Sequence, residues 1–299
     1  MLNKKPIFIV AFAYGGSNIL LNLLRSHPEV CSPRGETNEV FTGKIDEPPG
    51  TRWAKRLRYL PCVLLEGKNI FSWRDWQLRA PFKPLTQRTV DRILFDEKLR
   101  ARDESQNQYK YEKVEYTEEE IKASRLLCKN LDGLIFLTPE FARMYPDATF
   151  IALVRNGLAV CEGHIRRGHR AEDIAQNYEK ACQLMIQHSR MTPNYRLLRY
   201  EDLIASPLEM LKKIYEWAGL DIRLLKKIRL QAKRVVGKDG SHQVIMNRDF
   251  KDVIWYDPAD FGKHFRKDAN ENQIKRLTQE QKDLILKFSE RSVRHFGYL

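Results

Sequence analysis

Residues able to make a covalent or metal staple are scarce in this chain. Its five cysteines stand at 31, 62, 128, 161 and 182. They are odd in number and widely spaced, with no CxxC pair, so a disulfide framework and a structural zinc site are both excluded as expectations. Unmodified thiols fit a reducing, cytoplasmic compartment. Long apolar runs are missing too: no window holds the ~18–20 uninterrupted apolar residues of a membrane span. The N-terminus, MLNKKPIFIVAF, begins like a signal peptide, with lysines ahead of an apolar run. That run stops at Tyr14-Gly15-Gly16 without a small-residue cleavage site, so it reads as a buried strand. Internal repeats and low-complexity tracts are absent. So are paired zinc ligands, RNP-like aromatics and basic-leucine heptads. Neither nucleic acid nor membrane is therefore an expected partner, and the sequence says nothing about oligomeric state.

What the chain does have is charge and enough core. Lys and Arg number 52 against 39 Asp and Glu, a formal net charge of +13. The excess is spread along the chain apart from clusters such as 55–58, 166–170 and 226–233. Such a protein can bind a polyanion, from nucleic acid to a nucleotide, and charge alone does not choose among them. With 42% apolar and 10% aromatic residues over 299 positions, global disorder is excluded and one large domain, 1–299, is expected.

Residues 6–12 (PIFIVAF) have strand composition, and Asn18–Leu24 (NILLNLL) opens a helix that stops near Ser26-His27-Pro28. Further strands are expected at Arg125–Lys129, Thr149–Val154 and Arg196–Tyr200. Residues 30–95 read as irregular. Residues 96–122 are crowded with charge and read as an exposed insertion or lid, helical from Thr117, which has capping-box spacing with Glu120. A helix over Pro207–Gly219 is expected, with Ser206 as N-cap and Glu209 closing a capping box. The last helix starts after Thr278, capped with Gln281, and runs to about His295. Strands alternating with helices predict an α/β fold with a mostly parallel sheet covered on both faces.

A glycine turn between a first strand and a helix is a phosphate-cradle geometry: glycines admit an anion to backbone N–H groups, and the helix N-terminus adds positive potential. Neither GxxxxGK[ST] nor GxGxxG is present, because Ser17 and Asn18 follow Gly16. By itself the turn is equally a plain strand-to-helix connection.

The surrounding segment, PIFIVAFAYGGSNILLNLLRSHPEV, resembles the phosphosulfate loop of sulfotransferases, with its following helix and S-H-P turn. Four further segments agree in the family's order. Thr149–Arg167 is similar to its 3′-phosphate element, and Tyr195–Leu220 to its strand, Y-E-D-L turn and helix. FGKHFRKD and the closing helix through HFGY also fit. R-G-E-T (34–37), C-K-N (128–130) and S-H-Q-V-I (241–245) resemble the tyrosylprotein-sulfotransferase-like branch. The resemblance spans both ends and the middle of the chain but not 40–122. It implies a parallel α/β fold related to P-loop kinases and the donor 3′-phosphoadenosine 5′-phosphosulfate (PAPS), with no metal.

The same resemblance implies the site. Tyr14, Gly15, Gly16, Ser17 and Asn18 would surround the phosphosulfate. Arg155 and, twelve positions on, Arg167 would meet the 3′-phosphate, with Tyr200, Ser241, Gln243, Val244, Lys263 and Arg266 as further donor contacts. Glu36 matches the general base that an attacking acceptor hydroxyl requires, with Glu39 as its neighbour and competitor. Lys129 matches the cation that stabilises the transferring sulfuryl group. His27 reads as the structural histidine of the S-H-P turn, and His242 and His264 fall in donor-contacting segments. Two positions depart from the pattern. Tyr14 replaces the loop's Arg or Lys, and Gly163 replaces a serine expected eight residues after Arg155. The expected activity is sulfuryl transfer to a hydroxyl or amine of a small-molecule acceptor, such as a natural product. A non-catalytic donor-binding relative and a P-loop kinase of unusual sequence are the alternatives.

Overall fold

A computed structural model describes residues 5–33, 35–44, 47–72, 81–101, 116–231, 235–236, 242–243 and 253–299. Five strands form one parallel sheet: β1 (Ile7–Ala11), β2 (Val30–Cys31), β3 (Arg125–Leu131), β4 (Thr149–Val154) and β5 (Tyr195–Arg199), in spatial order β2-β3-β1-β4-β5. The central position of β1 explains its composition. All five of its residues are buried, because β3 and β4 pair with it on either side and helices cover both faces. In register, Ile9 lies opposite Lys129 and Ala11 opposite both Leu131 and Leu153. The carboxyl ends of β1, β3 and β4 therefore finish together, at the edge where open α/β sheets place their ligands.

Helix α1 (Ser17–Arg25) follows β1 directly and buries Leu20, Leu21, Leu23 and Leu24. Its end at Ser26 is fixed from outside the helix. His27, fully buried, meets the Asp221 carbonyl at 3.0 Å, accepts at Nδ1 from the Glu29 N–H, and stands edge-on to Tyr215. The helices after β4 and β5 include α7 (Gly157–Ile165), α8 (Ala171–Met191) and α10 (Pro207–Ala218), and the C-terminal α12 (Gln279–His295) packs along α8.

Three expectations need correction. Residues 30–95 are not irregular: they contain α2 (Thr37–Thr42), α3 (Pro49–Glu66) and most of α4 (Pro84–Arg100). Helix α3 escapes a periodicity reading because its apolar residues lie on two faces. Tyr59 and Cys62 point into the core, while Trp53, Leu57, Leu60 and Leu64 remain exposed. In α4 the inward residues include Glu97 and Lys98, which disguises the buried face as charge. The charged stretch 96–122 accordingly begins inside the core. Lys98 is fully buried and donates to the Lys122 carbonyl at 2.7 Å, and Glu97 accepts from Arg58 and Arg100. Residues 102–115 of this stretch lie outside the described residues. The Thr117–Glu120 capping box does form, ahead of α5 (Glu118–Ala123). Thirdly, Ser206 occupies the N-cap position of α10 without a side-chain cap bond. Glu209 reaches forward to Lys213, 2.7 Å away, instead of back to the cap. Gly219 ends α10 at φ +62, and the Thr278–Gln281 box opens α12.

Candidate functional site

The turn from β1 to α1 is built around hydrogen bonds that leave its outer rim open. Gly15 N–H donates to the Phe12 carbonyl at 3.0 Å and Ile19 N–H to the Gly16 carbonyl at 2.9 Å. The Ala13 N–H goes to Asp132 Oδ1 at 2.8 Å. The N–H groups of Gly16, Ser17 and Asn18 have no acceptor among the described residues. Three such donors at a helix N-terminus form an anion cradle. Gly16 is required there on two counts. Its φ is +90, and a Cβ would come within 2.4 Å of the Tyr200 ring. Tyr200, the first residue of helix α9 (Tyr200–Ala205), is thus the floor of the cradle.

Arg155, the residue after β4, sits beneath the loop and is 7% exposed. Its Nη1 donates to the Tyr14 carbonyl at 2.9 Å, its Nε to Asn270 Oδ1 at 2.7 Å, and its Nη2 to Gln273 Oε1. The guanidinium carbon lies 4.5 Å from the Tyr200 ring centroid. Burial depresses its pKa, opposed by the neighbouring Tyr200, Glu201 and Glu162. The Tyr-Glu-Asp turn supplies the anchor behind it. Glu201 Oε1 accepts from Asn156 N–H and from Asn270 Nδ2, and Oε2 from the Tyr298 hydroxyl at 2.7 Å. The last residues of the chain therefore hold the arginine's own partner in place.

At the opposite end of the cradle, Lys129 Nζ donates to Asn18 Oδ1 at 3.0 Å and to Glu36 Oε1 at 3.2 Å. Lys129 is 7% exposed, and the Glu36 side chain is about a third exposed. Glu36 is also the N-cap residue of α2, where its N–H donates to Glu39 Oε2 at 2.7 Å. Burial raises the Glu39 pKa, partly offset by the Glu36 backbone bond and Lys44. Glu39 is therefore committed to the cap and to Lys44, while Glu36 faces the cavity. Beside them Asp132 holds an αL conformation, φ +51, and its pKa is pushed up to about 7 by burial, with Ala13 N–H opposing.

The loop, Arg155, Lys129 and Glu36 line one cavity of about 450 Å³, within the ~300–1,000 Å³ usual for ligand sites. Of the residues picked out in the sequence, Tyr14, Gly16, Ser17, Asn18, Glu36, Lys129, Arg155, Gly163, Arg167 and Arg266 line it. Gly15 makes the turn and Tyr200 the floor. Lys263 is not on its wall; it is mostly exposed and pairs with Asp260. Gln243 belongs to a two-residue strand, His242–Gln243, paired with Val235–Val236. Ser241, Val244 and Arg34 lie outside the described residues. The His264 ring lies against Tyr256, tilted by 34° with the centroids 4.0 Å apart. Sequence reasoning missed Arg166, Asn272, Gln273 and Arg276, which also line the cavity. Arg166 and Arg276 both pair with Glu162, which is 3% exposed. The basic cluster at 166–170 is the signal for Arg166, and the basic, amide-rich run at 266–276 the signal for the other three. No cluster of His, Cys, Asp or Glu fit to hold a metal occurs among the described residues, and no helix there is long and apolar enough to cross a membrane.

The fold is similar to that of solved sulfotransferases. The sulfotransferase domain from the curacin biosynthetic pathway superposes with a TM-score of 0.51 at 15% identity, covering 100% of this chain and 99% of that one. The sulfotransferase domain of the Synechococcus olefin synthase gives 0.47 at 17% identity, covering 96% of each. A sulfotransferase from Alicyclobacillus acidocaldarius gives 0.38 at 14%, covering 73% of this chain and 82% of the other. No curated protein matches the chain in sequence. The profile of the sulfotransferase family matches residues 6–223, a span containing the cradle, Glu36, Lys129 and Arg155. The glycine turn with its open N–H groups thus sits in the matched region of a P-loop-like parallel sheet, and the chain belongs to the sulfotransferase family.

Proposed function

We propose that the protein transfers a sulfuryl group from PAPS to a hydroxyl or amine of a small-molecule acceptor. The observation that carries this reading is the Lys129 bridge. One buried ammonium joins Asn18 of the anion cradle to the Glu36 carboxylate, so a cation and a base share one mouth of the cavity. The residues fit the donor: three unused N–H groups and the Ser17 hydroxyl suit a phosphosulfate, and an arginine-lined wall suits a second phosphate.

When bound, the donor supplies the electrophilic sulfur, and its bisphosphate half leaves as the acceptor oxygen or nitrogen takes over the bond. Glu36 accepts the proton that the acceptor loses, which raises its nucleophilicity as the new bond forms. Lys129 holds that carboxylate toward the cavity and stabilises negative charge accumulating on the sulfuryl oxygens. The loop N–H groups fix the leaving 5′-phosphate and Arg155 the 3′-phosphate of the same donor, so neither end reorganises during the step. The R-G-E-T, C-K-N and S-H-Q-V-I segments support placement in the tyrosylprotein-like branch.

The test uses adenosine 3′,5′-bisphosphate, the donor product. At ~100 times its dissociation constant it should stabilise the fold by ~2.7 kcal/mol, with ATP giving much less. Turnover of PAPS against a panel of alcohols and amines then separates an enzyme from a donor-binding relative. A melting temperature raised by ATP and unmoved by the bisphosphate would point to a kinase instead.

A further inference from the structure

The two positions at which the loop departs from the sulfotransferase pattern touch each other. A Cβ placed on Gly163 would lie 3.0 Å from the Tyr14 Cβ and 3.1 Å from its Cγ. Tyr14 itself has φ +64, a region that few non-glycine residues enter. The conformation is held from below by Arg155 on the Tyr14 carbonyl and from one side by His164, edge-on at 4.6 Å. On the ring lies Arg167, its guanidinium carbon 4.0 Å from the centroid. Arg167 is fixed at a second point, where Nη1 donates to the Gly163 carbonyl at 2.6 Å. A side chain at 163 would therefore disturb both the ring and the carbonyl that orient this arginine.

Charge accounting gives the arrangement a purpose. Residues 13–18 (AYGGSN) carry no cation. Of the cations around the cavity, Lys129 is engaged by Asn18 and Glu36, and Arg155 by Tyr14, Asn270 and Gln273. Arg166 and Arg276 face Glu162, and Arg266 faces Asp268. Arg167 has no carboxylate partner among the described residues, and a guanidinium has five N–H donors to offer. His164 cannot supply the charge at this edge, because burial holds it neutral, with its pKa lowered to about 4.

We propose that Tyr14, Gly163 and Arg167 form one unit, in which the Tyr14 ring carries the Arg167 guanidinium at the rim of the glycine loop. There Arg167 provides the positive charge that the loop's own sequence omits, against an oxygen of the bound phosphate-type anion. Tyr14 is a positioning residue, Arg167 the anion contact, and Gly163 the space that lets the ring lie down. The proposal rests on the reading of the cavity as a donor site.

Isothermal titration with adenosine 3′,5′-bisphosphate at low salt tests it. Arg167→Gln removes an exposed side chain and should weaken binding about tenfold, as loss of one charge-assisted hydrogen bond would. Tyr14→Leu should weaken it comparably, and the double variant should be no worse than either alone. Tyr14→Phe keeps the ring and should stay within about twofold of wild type, which a role for the hydroxyl would not allow. Gly163→Ala should weaken binding at least about fivefold in the wild type and under twofold beside Tyr14→Gly, where the opposing Cβ is gone. An Arg167→Gln variant that binds within twofold of wild type overturns the proposal while leaving the donor site intact. Absence of binding by the wild type itself overturns the donor reading, and the proposal with it.

Discussion

Replacing Gly16 by alanine should be among the most damaging single-methyl changes in this protein, and its cost divides into two measurable parts. The first is backbone strain: at φ +90 an L-residue other than glycine loses ~1–2 kcal/mol. The second is steric, since the new Cβ would lie 2.4 Å from Tyr200 Cδ2 and 2.7 Å from Cε2. Tyr200 is 7% exposed and sits under the Arg155 guanidinium, so the ring cannot swing away freely. Overpacking of that kind typically costs ~1–3 kcal/mol. The total of ~2–5 kcal/mol corresponds to ~4–20 °C at the ~2–4 °C per kcal/mol of a large domain. Gly168 provides the internal control, because its φ is +88 and a Cβ there would meet nothing within 4 Å. Gly168→Ala should therefore show the strain part alone. Thermal denaturation of both variants, with bisphosphate titration of Gly16→Ala, measures the difference. A Gly16→Ala melting temperature no lower than that of Gly168→Ala would refute Tyr200 as a rigid floor. A coupling energy between Gly16→Ala and Tyr200→Ala of ~1–3 kcal/mol would locate the clash directly.

Three other outcomes follow from the site. Glu36→Gln should slow sulfuryl transfer by ~10²–10⁴, the usual cost of losing a general base, while bisphosphate affinity changes under about threefold. Unaltered turnover would return Glu36 to its role as a helix cap. Arg155→Lys keeps a charge but cannot reach Tyr14, Asn270 and Gln273 together, so bisphosphate binding should weaken at least about tenfold; equal binding would show that the guanidinium geometry is unimportant. Asp132 has a pKa raised to about 7 by burial, against ~3.9 in an unfolded chain. Between those values the folded state binds the extra proton, so its contribution to stability falls as pH rises from about 4 to about 7. His164, lowered to about 4, acts in the opposite sense over about 4 to 6.5. Denaturant titrations across this range should show Asp132→Asn gaining stability relative to wild type toward pH 7. A difference that does not vary with pH would place Asp132 outside the titration.

Local chemistry was enough to read the elements that carry a single pattern. The β1–glycine–α1 unit, the strand at Thr149–Val154 and the helix capped by Thr278 and Gln281 are found where their residues indicate, because burial on both faces, helix periodicity and capping are properties of neighbouring residues. The choice of Glu36, Lys129 and Arg155 came from family likeness in short motifs, and the parallel register that ends β1, β3 and β4 together brings their segments to one cavity. Helix α3 was illegible for a physical reason: its two apolar faces and Pro61 leave no single stripe. Helix α4 hid its buried face behind Glu97 and Lys98, whose partners Arg58 and the Lys122 carbonyl are far away in sequence. Tertiary structure alone decided how the departures at Tyr14 and Gly163 relate. Read in sequence, 149 positions apart, they are two separate losses. In the fold, the space left by one is filled by the ring of the other, and that ring carries Arg167. A contact between residues so distant depends on how β4 and α7 pack beside β1, which no local pattern encodes.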